Sequence, residues 1–403
     1  MERLYYDLIK YHLDNWDQMV FIEGPRQSGK TTLAKRLMLN YKANYYFNHD
    51  NLKDREIIIS GKDFIKDLGI LDVLSDEKPI IVFDEIHKFP NWKNYLKGIY
   101  DNYKDKIKII ATGSAKLTLY KKSQDSLMGR YFPYTIYPLS IGEIVNSKHE
   151  LNELVRFPKK IKEDDYKNLY NFSGFPDPYF KSDTRFYLRW QKLRFEQLFR
   201  DDILNIEDIK NVSQLELLAH ILSYQTSQQI NYTSLAKKIQ TTDVTIRKWI
   251  SMLESFYFGF TVLPWHKNIV KAIIKEPKFY TMDWSAISDI GARAENFVAC
   301  HLKKATKYWT DAGLGEFELY YIRTRDNKEV DFIVVKNNEP WFLVEVKHSE
   351  QASLSKHLAF FQEQTKAKHA FQVVLDMEYV DIDCFTKNIP IKVPAKTFLS
   401  QLV

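Results

Sequence analysis

Residues 24–31 read Gly-Pro-Arg-Gln-Ser-Gly-Lys-Thr and match the pattern G-x-x-x-x-G-K-[ST] of a phosphate-binding loop. Gly24 and Gly29 allow a tight turn that points several backbone N–H groups at one anion. Lys30 would place its ammonium group on the β- and γ-phosphates of a nucleotide, and the Thr31 hydroxyl can bind Mg²⁺. The sequence therefore predicts a site for a nucleoside triphosphate.

The elements on either side of this loop support the prediction. An apolar run from Val20 to Ile22 predicts a strand, and the residues after the loop predict a helix that begins near Lys30. A helix N-terminus at this point favours an anion. A chance match in a glycine-containing turn is the alternative. The residues expected to contact ATP or ADP are Gly24, Pro25, Arg26, Gln27, Ser28, Gly29, Lys30, Thr31 and Thr32.

The short apolar run 79–83 predicts a buried parallel strand that ends in two carboxylates, Asp84 and Glu85. We expect Asp84 to reach Mg²⁺ through water, and Glu85 to polarise the attacking water as a catalytic group. Many strands end in acids, which is the alternative. At this distance after a phosphate-binding loop, however, the pair is typical of the Walker B element.

Polar residues further along are candidates for contact with the γ-phosphate. Thr112 and Ser114 follow a predicted strand at 107–111, at the edge where open α/β sheets bind ligands. A simple glycine-containing turn is an equal alternative there. Arg130 could stabilise the γ-phosphate in cis, or in trans from a neighbouring subunit. A solvated or salt-bridged arginine is the alternative for this position.

A second set of acids lies near the C-terminus, in the fragment EVDFIVVKNNEPWFLVEVK. Asp331 opens one predicted strand, and Glu345 and Lys347 share one face of the next strand. Two carboxylates and a lysine describe a catalytic site at which Mg²⁺ or Mn²⁺ activates water for phosphodiester hydrolysis. Glu295 on the preceding predicted helix would be a third metal ligand beside Asp331 and Glu345. A salt-bridge ladder or an inactive descendant of such a site are the alternatives.

Between the two sites, the stretch SLAKKIQTTDVTIRKWISMLE has the spacing of a helix-turn-helix. Its outward residues would be Thr245, Arg247 and Lys248, and the following FYFGFTVLPW would be a wing. DNA contact and a role as a protein–protein spacer are equal alternatives for this segment. The predicted buried face of its second helix consists of Ile246, Trp249, Ile250 and Leu253.

These motifs together resemble those of prokaryotic AAA-superfamily ATP-binding proteins with a C-terminal domain of unknown function. The resemblance runs from about residue 15 to the end of the chain. It rests on GPRQSGKTTL, FDEIHKFPNWKNYLKGIYD, ATGSAKL, SLMGRYF, SGFPDP, YTMDWSAISDIGARAEN, EVDF and VEVK. The positions that match the chemistry of such families are Lys30, Thr31, Asp84, Glu85, Ser114, Arg130, Glu295, Asp331, Glu345 and Lys347.

The resemblance implies an α/β fold. It begins with an AAA-type P-loop NTPase, a parallel sheet with helices on both faces. A helical and winged-helix part follows, and then a C-terminal α/β restriction-endonuclease-like domain of the PD-(D/E)XK type. The expected boundaries are 1–145 for the ATPase, 146–205 for a helical connector, 206–285 for the winged helix and 286–403 for the nuclease-like domain.

The composition is that of a globular protein with two or three domains. The 403 residues carry a formal net charge of +6, a mild bias that is compatible with nucleic acid as a partner. Cys300 and Cys384 lie outside any C-x-x-C arrangement, so no disulfide framework or cysteine zinc site is indicated. No apolar run has the length of a signal peptide or a membrane helix. We therefore expect a cytoplasmic protein with no membrane partner.

Three functions follow as hypotheses. The first is an ATP-hydrolysing AAA-type protein coupled to a metal-dependent, nuclease-like domain that acts on DNA. The second is a regulatory ATPase switch that binds DNA or protein through its C-terminal half without cleaving it. The third is an ATPase that remodels protein partners. A homo-oligomer is expected only if Arg130 acts in trans.

Overall fold

The computed structural model describes residues 1–59, 64–67, 69–70, 77–114, 127–146, 150, 152–204, 211–266 and 276–403. The chain forms two compact units, Met1–Tyr137 and Pro138–Val403. The first unit contains the phosphate-binding loop, and the second contains the C-terminal acids. No helix in these ranges is both long enough and apolar enough to cross a membrane.

The first unit contains a five-stranded sheet in the order β2-β3-β4-β1-β5, and all neighbouring strands are parallel. The strands are β1 Met19–Glu23, β2 Asn44–Asn48, β3 Ile80–Asp84, β4 Lys108–Gly113 and β5 Tyr131–Thr135. The helices are α1 Tyr5–Asn15, α2 Lys30–Met38, α3 Leu52–Ile59, α4 Phe64–Asp67 and α5 Trp92–Tyr103.

Both faces of this sheet are covered. Every residue of β1 and β3 is buried, as expected for central parallel strands. Phe21 and Phe83 pack with Leu96 of α5 on one face. Helix α2 packs against β1, β3 and β4, and alternation along the strand directs Val20 and Ile22 to the face opposite Phe21. The predicted parallel sheet with helices on both faces is confirmed and fits a P-loop NTPase.

Two elements of this unit escape the sequence patterns. Strand β5 is an edge strand that contains Pro133, and its first three residues are partly buried or, at Phe132, exposed, so it shows no apolar run. Helix α3 has almost no apolar periodicity. Within 62–74, residues 64–67 form helix α4, and Leu68, Leu71 and Leu74 lie outside the described residues. The same holds for 115–126, which includes Ser126 and the end of ATGSAKL.

The second unit contains a seven-stranded mixed sheet in the order β12-β11-β10-β9-β8-β6-β7. Its strands are β6 Gly259–Pro264, β7 Lys278–Thr281, β8 Phe317–Arg323, β9 Glu329–Lys336, β10 Glu339–Lys347, β11 His369–Val374 and β12 Pro390–Pro394. Its α-helices are α6 Ile141–Val145, α7 Glu163–Phe172, α8 Pro176–Lys181, α9 Thr184–Gln197, α10 Val212–Tyr224, α11 Tyr232–Ile239, α12 Asp243–Ser255, α13 Ile290–Asp311, α14 Lys356–Thr365 and α15 Ala395–Gln401.

The two predicted acid-bearing strands are β9 and β10, which pair antiparallel as a hairpin. Asn337 and Asn338 form its two-residue loop with φ angles of 50° and 66°. Both angles lie in the left-handed region, which matches the twist of a tight hairpin and which asparagine tolerates well. Asp331 is the third residue of β9 rather than its first.

The helix-turn-helix spacing corresponds to α11 and α12, and Thr242 caps α12 by accepting a hydrogen bond from the Thr245 amide. The FYFGFTVLPW stretch supplies β6, which pairs antiparallel with β7 and parallel with β8. Strands β6 and β7 therefore share one sheet with β8–β12, and the expected boundary at 285/286 falls between strands of that sheet. The four-part division remains a prediction. In the SGFPDP motif, Pro176 starts α8 in the first-turn position that suits proline.

Candidate nucleotide site and a second carboxylate cluster

The phosphate-binding loop connects β1 to α2, and its two glycines are required by the backbone. Gly24 has a φ of 145°, and a Cβ there would lie 2.4 Å from the carbonyl oxygen of Ile136. Gly29 has a φ of 91° and directly precedes Lys30, the first residue of α2. The loop therefore ends at a helix N-terminus, where free N–H groups and the helix dipole favour a phosphate.

Lys30 is buried beside this loop. Its Nζ donates hydrogen bonds to the carbonyl oxygens of Gly24, at 3.1 Å, and Pro25, at 2.8 Å. Both acceptors are uncharged, so an anionic phosphate oxygen is a better partner for the same ammonium group.

The carboxylate of Asp84 lies at the end of β3, buried among hydroxyl groups. Thr31 Oγ1 donates to it at 2.9 Å, Tyr46 OH donates at 2.6 Å, and Thr112 Oγ1 donates to its other oxygen. Every hydrogen bond that this carboxylate accepts from a described residue comes from a neutral hydroxyl. A carboxylate beside the Thr31 hydroxyl is the donor set that Mg²⁺ prefers, so these residues fit the predicted metal.

Glu85 follows β3 in a left-handed conformation, with a φ of 55°. Its amide donates to Thr112 Oγ1 at 3.2 Å. Among the described residues its buried Oε2 has no hydrogen-bond partner, although Lys88 Nζ lies 3.7 Å away. Burial raises the pKa of Glu85, and Lys30 and Lys88 only partly oppose this. A carboxylate with a raised pKa and an oxygen that accepts no hydrogen bond suits a group that accepts a proton from water.

Ser114 lies directly after β4, and sequence reasoning missed its neighbour, His87. The Ser114 Oγ is 3.4 Å from Nε2 of His87, in the 3-10 turn Ile86–Lys88 after Glu85. Burial lowers the pKa of His87 to about 3, so its imidazole is neutral. The available signal was the polar residue in Asp-Glu-Ile-His, two positions after the predicted base.

Arg130 lies at the N-terminal end of the parallel strands, opposite the C-terminal end at which the phosphate-binding loop begins. It immediately precedes β5, and its carbonyl accepts a hydrogen bond from Met19 at the start of β1, whereas the phosphate-binding loop follows the end of β1. A strand of five residues spans roughly 16 Å. The guanidinium group of Arg130 pairs with the carboxylate of Asp101 at 2.7 Å. The cis role predicted for Arg130 therefore does not agree with its position in this unit, and the trans role remains a prediction.

The remaining loop residues keep predicted roles. Gln27 and Thr32 are exposed and Arg26 is partly exposed, while Ser28 is buried and its carbonyl accepts a hydrogen bond from Arg3.

In the second unit, two of the predicted C-terminal acids, Glu295 and Asp331, contact a lysine that sequence reasoning missed. Nζ of Lys278, on β7, lies 2.6 Å from Glu329, 3.1 Å from Glu295 and 3.9 Å from Asp331. Tyr280 donates a further hydrogen bond to Glu295 at 2.7 Å. Burial lowers the pKa of Lys278, but the three carboxylates outweigh burial and the pKa is raised. The ammonium group is therefore a fixed counter-ion of this cluster.

Two β-bulges set the position of Asp331. Asp331 and Phe332 together oppose Tyr321 of β8, and β10 has one extra residue, Trp341, opposite β9. With the second bulge, Val344 pairs with Phe332, and the next position along would bring Asp331 opposite Glu345. Without the bulge at Trp341, the register of all later residues of β10 would shift by one, and their side chains would lie on the opposite face of the sheet.

Around Glu345 the carboxylates repel one another. Burial raises the pKa of Glu345 to about 7, and repulsion from Asp331 adds to the rise. Burial and repulsion from Asp331 likewise raise the pKa of Glu295 to about 8. Lys347 Nζ contacts Oε1 of Glu345 at 2.7 Å, while the buried Oε2 has no hydrogen-bond partner in the described ranges.

The predicted metal ligands of this cluster are not assembled as a ligand set. Within the described parts of the chain, no three His, Cys, Asp or Glu side chains are arranged to hold a metal ion. The physical reason is Lys278, whose ammonium contacts both Glu295 and Asp331. The donor chemistry fits a divalent cation only at Asp331 and Glu345, where one carboxylate oxygen is still unpaired.

The predicted buried face of α12 is confirmed, since Ile246, Trp249, Ile250 and Leu253 are all buried. Arg247 and Lys248 are exposed, and the guanidinium of Arg247 lies 3.7 Å from the centre of the Tyr232 ring. This leaves a basic surface on α12, whose contact with DNA remains a prediction.

Comparison with known families divides the chain into three parts. Residues 17–145 match the family model of an AAA domain. Residues 163–290 and 290–393 match two domains of unknown function, DUF8612 and DUF4143. These matches support an AAA-superfamily protein with C-terminal domains of unknown function.

Similar proteins occur in archaea and bacteria. An uncharacterized protein of Methanocaldococcus jannaschii is 26% identical over 335 residues, which cover 79% of this chain and 72% of that protein. A second protein of the same organism is 26% identical, and the match covers 66% of this chain and 62% of that protein. An uncharacterized protein of Haemophilus influenzae is 24% identical, with 80% and 81% covered.

Among solved structures, AMPPCP-bound DnaA from Aquifex aeolicus aligns with a TM-score of 0.33 and 13% identity, over 62% of this chain and 87% of that chain. This TM-score is too low to support an inference about the fold.

Proposed function

Taking residues 17–145 as an AAA domain, we propose that this protein binds ATP and hydrolyses it at the phosphate-binding loop. The observation that carries the proposal is Asp84, a buried carboxylate that accepts hydrogen bonds from Thr31, Tyr46 and Thr112 beside the buried Lys30. A structural acid would be expected to have a charged partner, whereas this one is surrounded by groups that can be exchanged for a hydrated cation.

Each residue then has a distinct task. The loop amides and Lys30 bind the phosphates, and Thr31 and Asp84 would hold Mg²⁺, which supplies positive charge to the phosphoryl group. Glu85 accepts the proton of the attacking water through its carboxylate group. Ser114 lies at the end of the neighbouring strand and contacts the γ-phosphate.

Lys30→Ala tests this proposal, with Lys42→Ala as a control on an exposed lysine. Phosphate release from MgATP should fall at least 100-fold in Lys30→Ala and stay within twofold of the wild type in Lys42→Ala. Unchanged hydrolysis in Lys30→Ala would contradict the phosphate-binding role of the loop.

A metal-dependent, nuclease-like site that acts on DNA is a second candidate function, for the C-terminal half. The observations in its favour are the unpaired buried Oε2 of Glu345, the bulge that directs Asp331 towards Glu345, and Lys347 beside them. Asp331 and Glu345 would hold the cation, and Lys347 would supply positive charge to the phosphodiester. The contacts of Lys278 with two predicted ligands instead favour binding without cleavage.

Incubation of the protein with DNA, ATP and Mn²⁺ distinguishes a C-terminal site that cleaves DNA from one that binds DNA without cleavage. Cleavage by the wild type that is lost in Asp331→Ala, and kept in the exposed-turn control Asp326→Ala, supports the nuclease-like site. Cleavage that survives Asp331→Ala contradicts it. If DNA is bound, raises the rate of ATP hydrolysis and stays intact, the protein acts as a regulatory switch.

A further inference from the structure

The imidazole of His87 touches both groups expected to act on the γ-phosphate. Its Nε2 is 3.4 Å from Oγ of Ser114, and its Nδ1 is 3.7 Å from Oε2 of Glu85. The side chain is 2% exposed, so water does not compete for either nitrogen. One rigid ring thus spans the distance between the predicted sensor and the predicted base.

Within the described part of the chain, two facing atoms in this contact lack a hydrogen-bond partner, although Lys88 Nζ also lies 3.7 Å from Oε2 of Glu85. Among the described residues, neither Nδ1 of His87 nor Oε2 of Glu85 has a hydrogen bond. Buried polar atoms of a native protein nearly always have one, and a movement of roughly 0.8 Å would bring this pair to hydrogen-bond length. The left-handed backbone at Glu85 turns the chain so that the side chain two residues later faces the carboxylate.

The proton position on the ring depends on Ser114. Which nitrogen of a neutral imidazole carries the proton is set by the hydrogen bond that the other nitrogen makes. When the Ser114 hydroxyl donates to Nε2, the proton is on Nδ1 and faces the Glu85 oxygen. When Nε2 carries the proton, Nδ1 presents a lone pair to the carboxylate and repels it.

We propose that His87 is a positioning residue for ATP hydrolysis, which holds Glu85 in place through Nδ1–H and links it to Ser114 through Nε2. The inference rests on the proposed function, since it assigns a role at that site. His87 does not touch the nucleotide, and it exchanges no proton with the substrate. Its effect is on the orientation of Glu85 at the moment when water attacks.

Two substitutions separate the two nitrogens of the ring. The amide nitrogen of His87→Asn can replace Nδ1, and that of His87→Gln can replace Nε2. We expect kcat for MgATP to fall 10- to 100-fold in His87→Gln and to stay within about fivefold of the wild type in His87→Asn. KM and the affinity for a fluorescent N-methylanthraniloyl ATP analogue should change less than threefold in both.

Ser114→Ala completes the test. If Ser114 acts on Glu85 through the imidazole, the effect of Ser114→Ala depends on His87. The fold reduction of kcat caused by Ser114→Ala should then be at least three times smaller in the His87→Asn background than in the wild type. Equal kcat values in all His87 variants would overturn the inference. So would losses that follow a lower melting temperature and weaker analogue binding, since those indicate a structural role. A wild-type protein without ATP turnover contradicts the proposed function instead.

Discussion

The two carboxylate sites of this protein differ in what neutralises them. At the end of β3, the Asp84 carboxylate accepts hydrogen bonds from three neutral hydroxyls. On β9 and α13, Asp331 and Glu295 share the ammonium group of Lys278. Neutral hydroxyls leave the full negative charge of a carboxylate available to a cation, whereas a buried ammonium group already compensates it. In the proposed function the first site would hold a metal-bound nucleotide, whereas the second has a cation of its own.

Removal of the internal cation should have the largest effect on stability. Lys278→Met leaves Glu295, Glu329 and Asp331 without their shared partner, and we expect the free energy of unfolding to fall by about 3–5 kcal/mol at pH 8. Urea denaturation of the full chain measures this, and Mn²⁺ should restore part of the loss by replacing the ammonium group. Lys336→Met, at the far end of β9, is the control. A stability equal to that of the wild type would show that Lys278 is not the counter-ion.

Removal of charge at the first site should affect activity instead. In Asp84→Asn one oxygen remains to accept hydrogen bonds from the hydroxyls, an NH2 group replaces the other oxygen, and the negative charge for Mg²⁺ is lost. We expect phosphate release from MgATP to fall about 100-fold. Asp331→Asn in the second unit should leave this rate within twofold of the wild type. If both variants lose ATP hydrolysis to the same degree, the two sites do not differ in the way described.

The buried acids of the second cluster should make stability depend on pH. The pKa values of Glu345 and Glu295 rise to about 7 and about 8 in the folded chain, so the folded state retains protons that the unfolded state releases. Their contribution is complete below pH 4.5 and is lost as the pH rises through 7–8. The slope is at most about 1.4 kcal/mol per pH unit for each group. Glu345→Gln should flatten the slope between pH 5 and pH 7, as measured by urea midpoints.

Arg130 should give the smallest effect. The Arg130 side chain pairs with Asp101 at the end of the strands opposite the phosphate-binding loop. Arg130→Ala should therefore leave the affinity for the fluorescent ATP analogue within twofold of the wild-type value. Equilibrium fluorescence titration measures this. A tenfold loss of affinity in a protein that sedimentation shows to be monomeric would restore the cis role. Activity that reappears when Arg130→Ala is mixed with Lys30→Ala would instead support the trans role.

The sequence is most informative where the signal is local. The phosphate-binding loop, the strand before Asp84 and the Asn337-Asn338 turn each depend on a few neighbouring residues whose backbone preferences are strong. Strand β5 and helix α3 lack that kind of local pattern and were missed.

The residues that surround the acids are distant from them in the sequence. Lys278 is 53 positions before Asp331 in the sequence and meets it only through the order of strands in the sheet. The bulge at Trp341 shifts the register by one residue, and only the adjacent Pro340 marks it in the sequence. His87 reads as an ordinary turn residue until β3 and β4 bring it against Ser114. Pairings of this kind depend on tertiary packing, which periodicity does not report.

The most direct test of the difference between the sites is to count bound Mn²⁺ by electron paramagnetic resonance, with and without ATP. We predict one tightly bound Mn²⁺ per wild-type chain only when ATP is present, and its loss in Thr31→Ala but not in Thr31→Ser. Lys278→Met should gain a second ion that needs no nucleotide. Tight binding by the wild type without ATP, unchanged in Thr31→Ala and abolished in Asp331→Asn, would contradict the account.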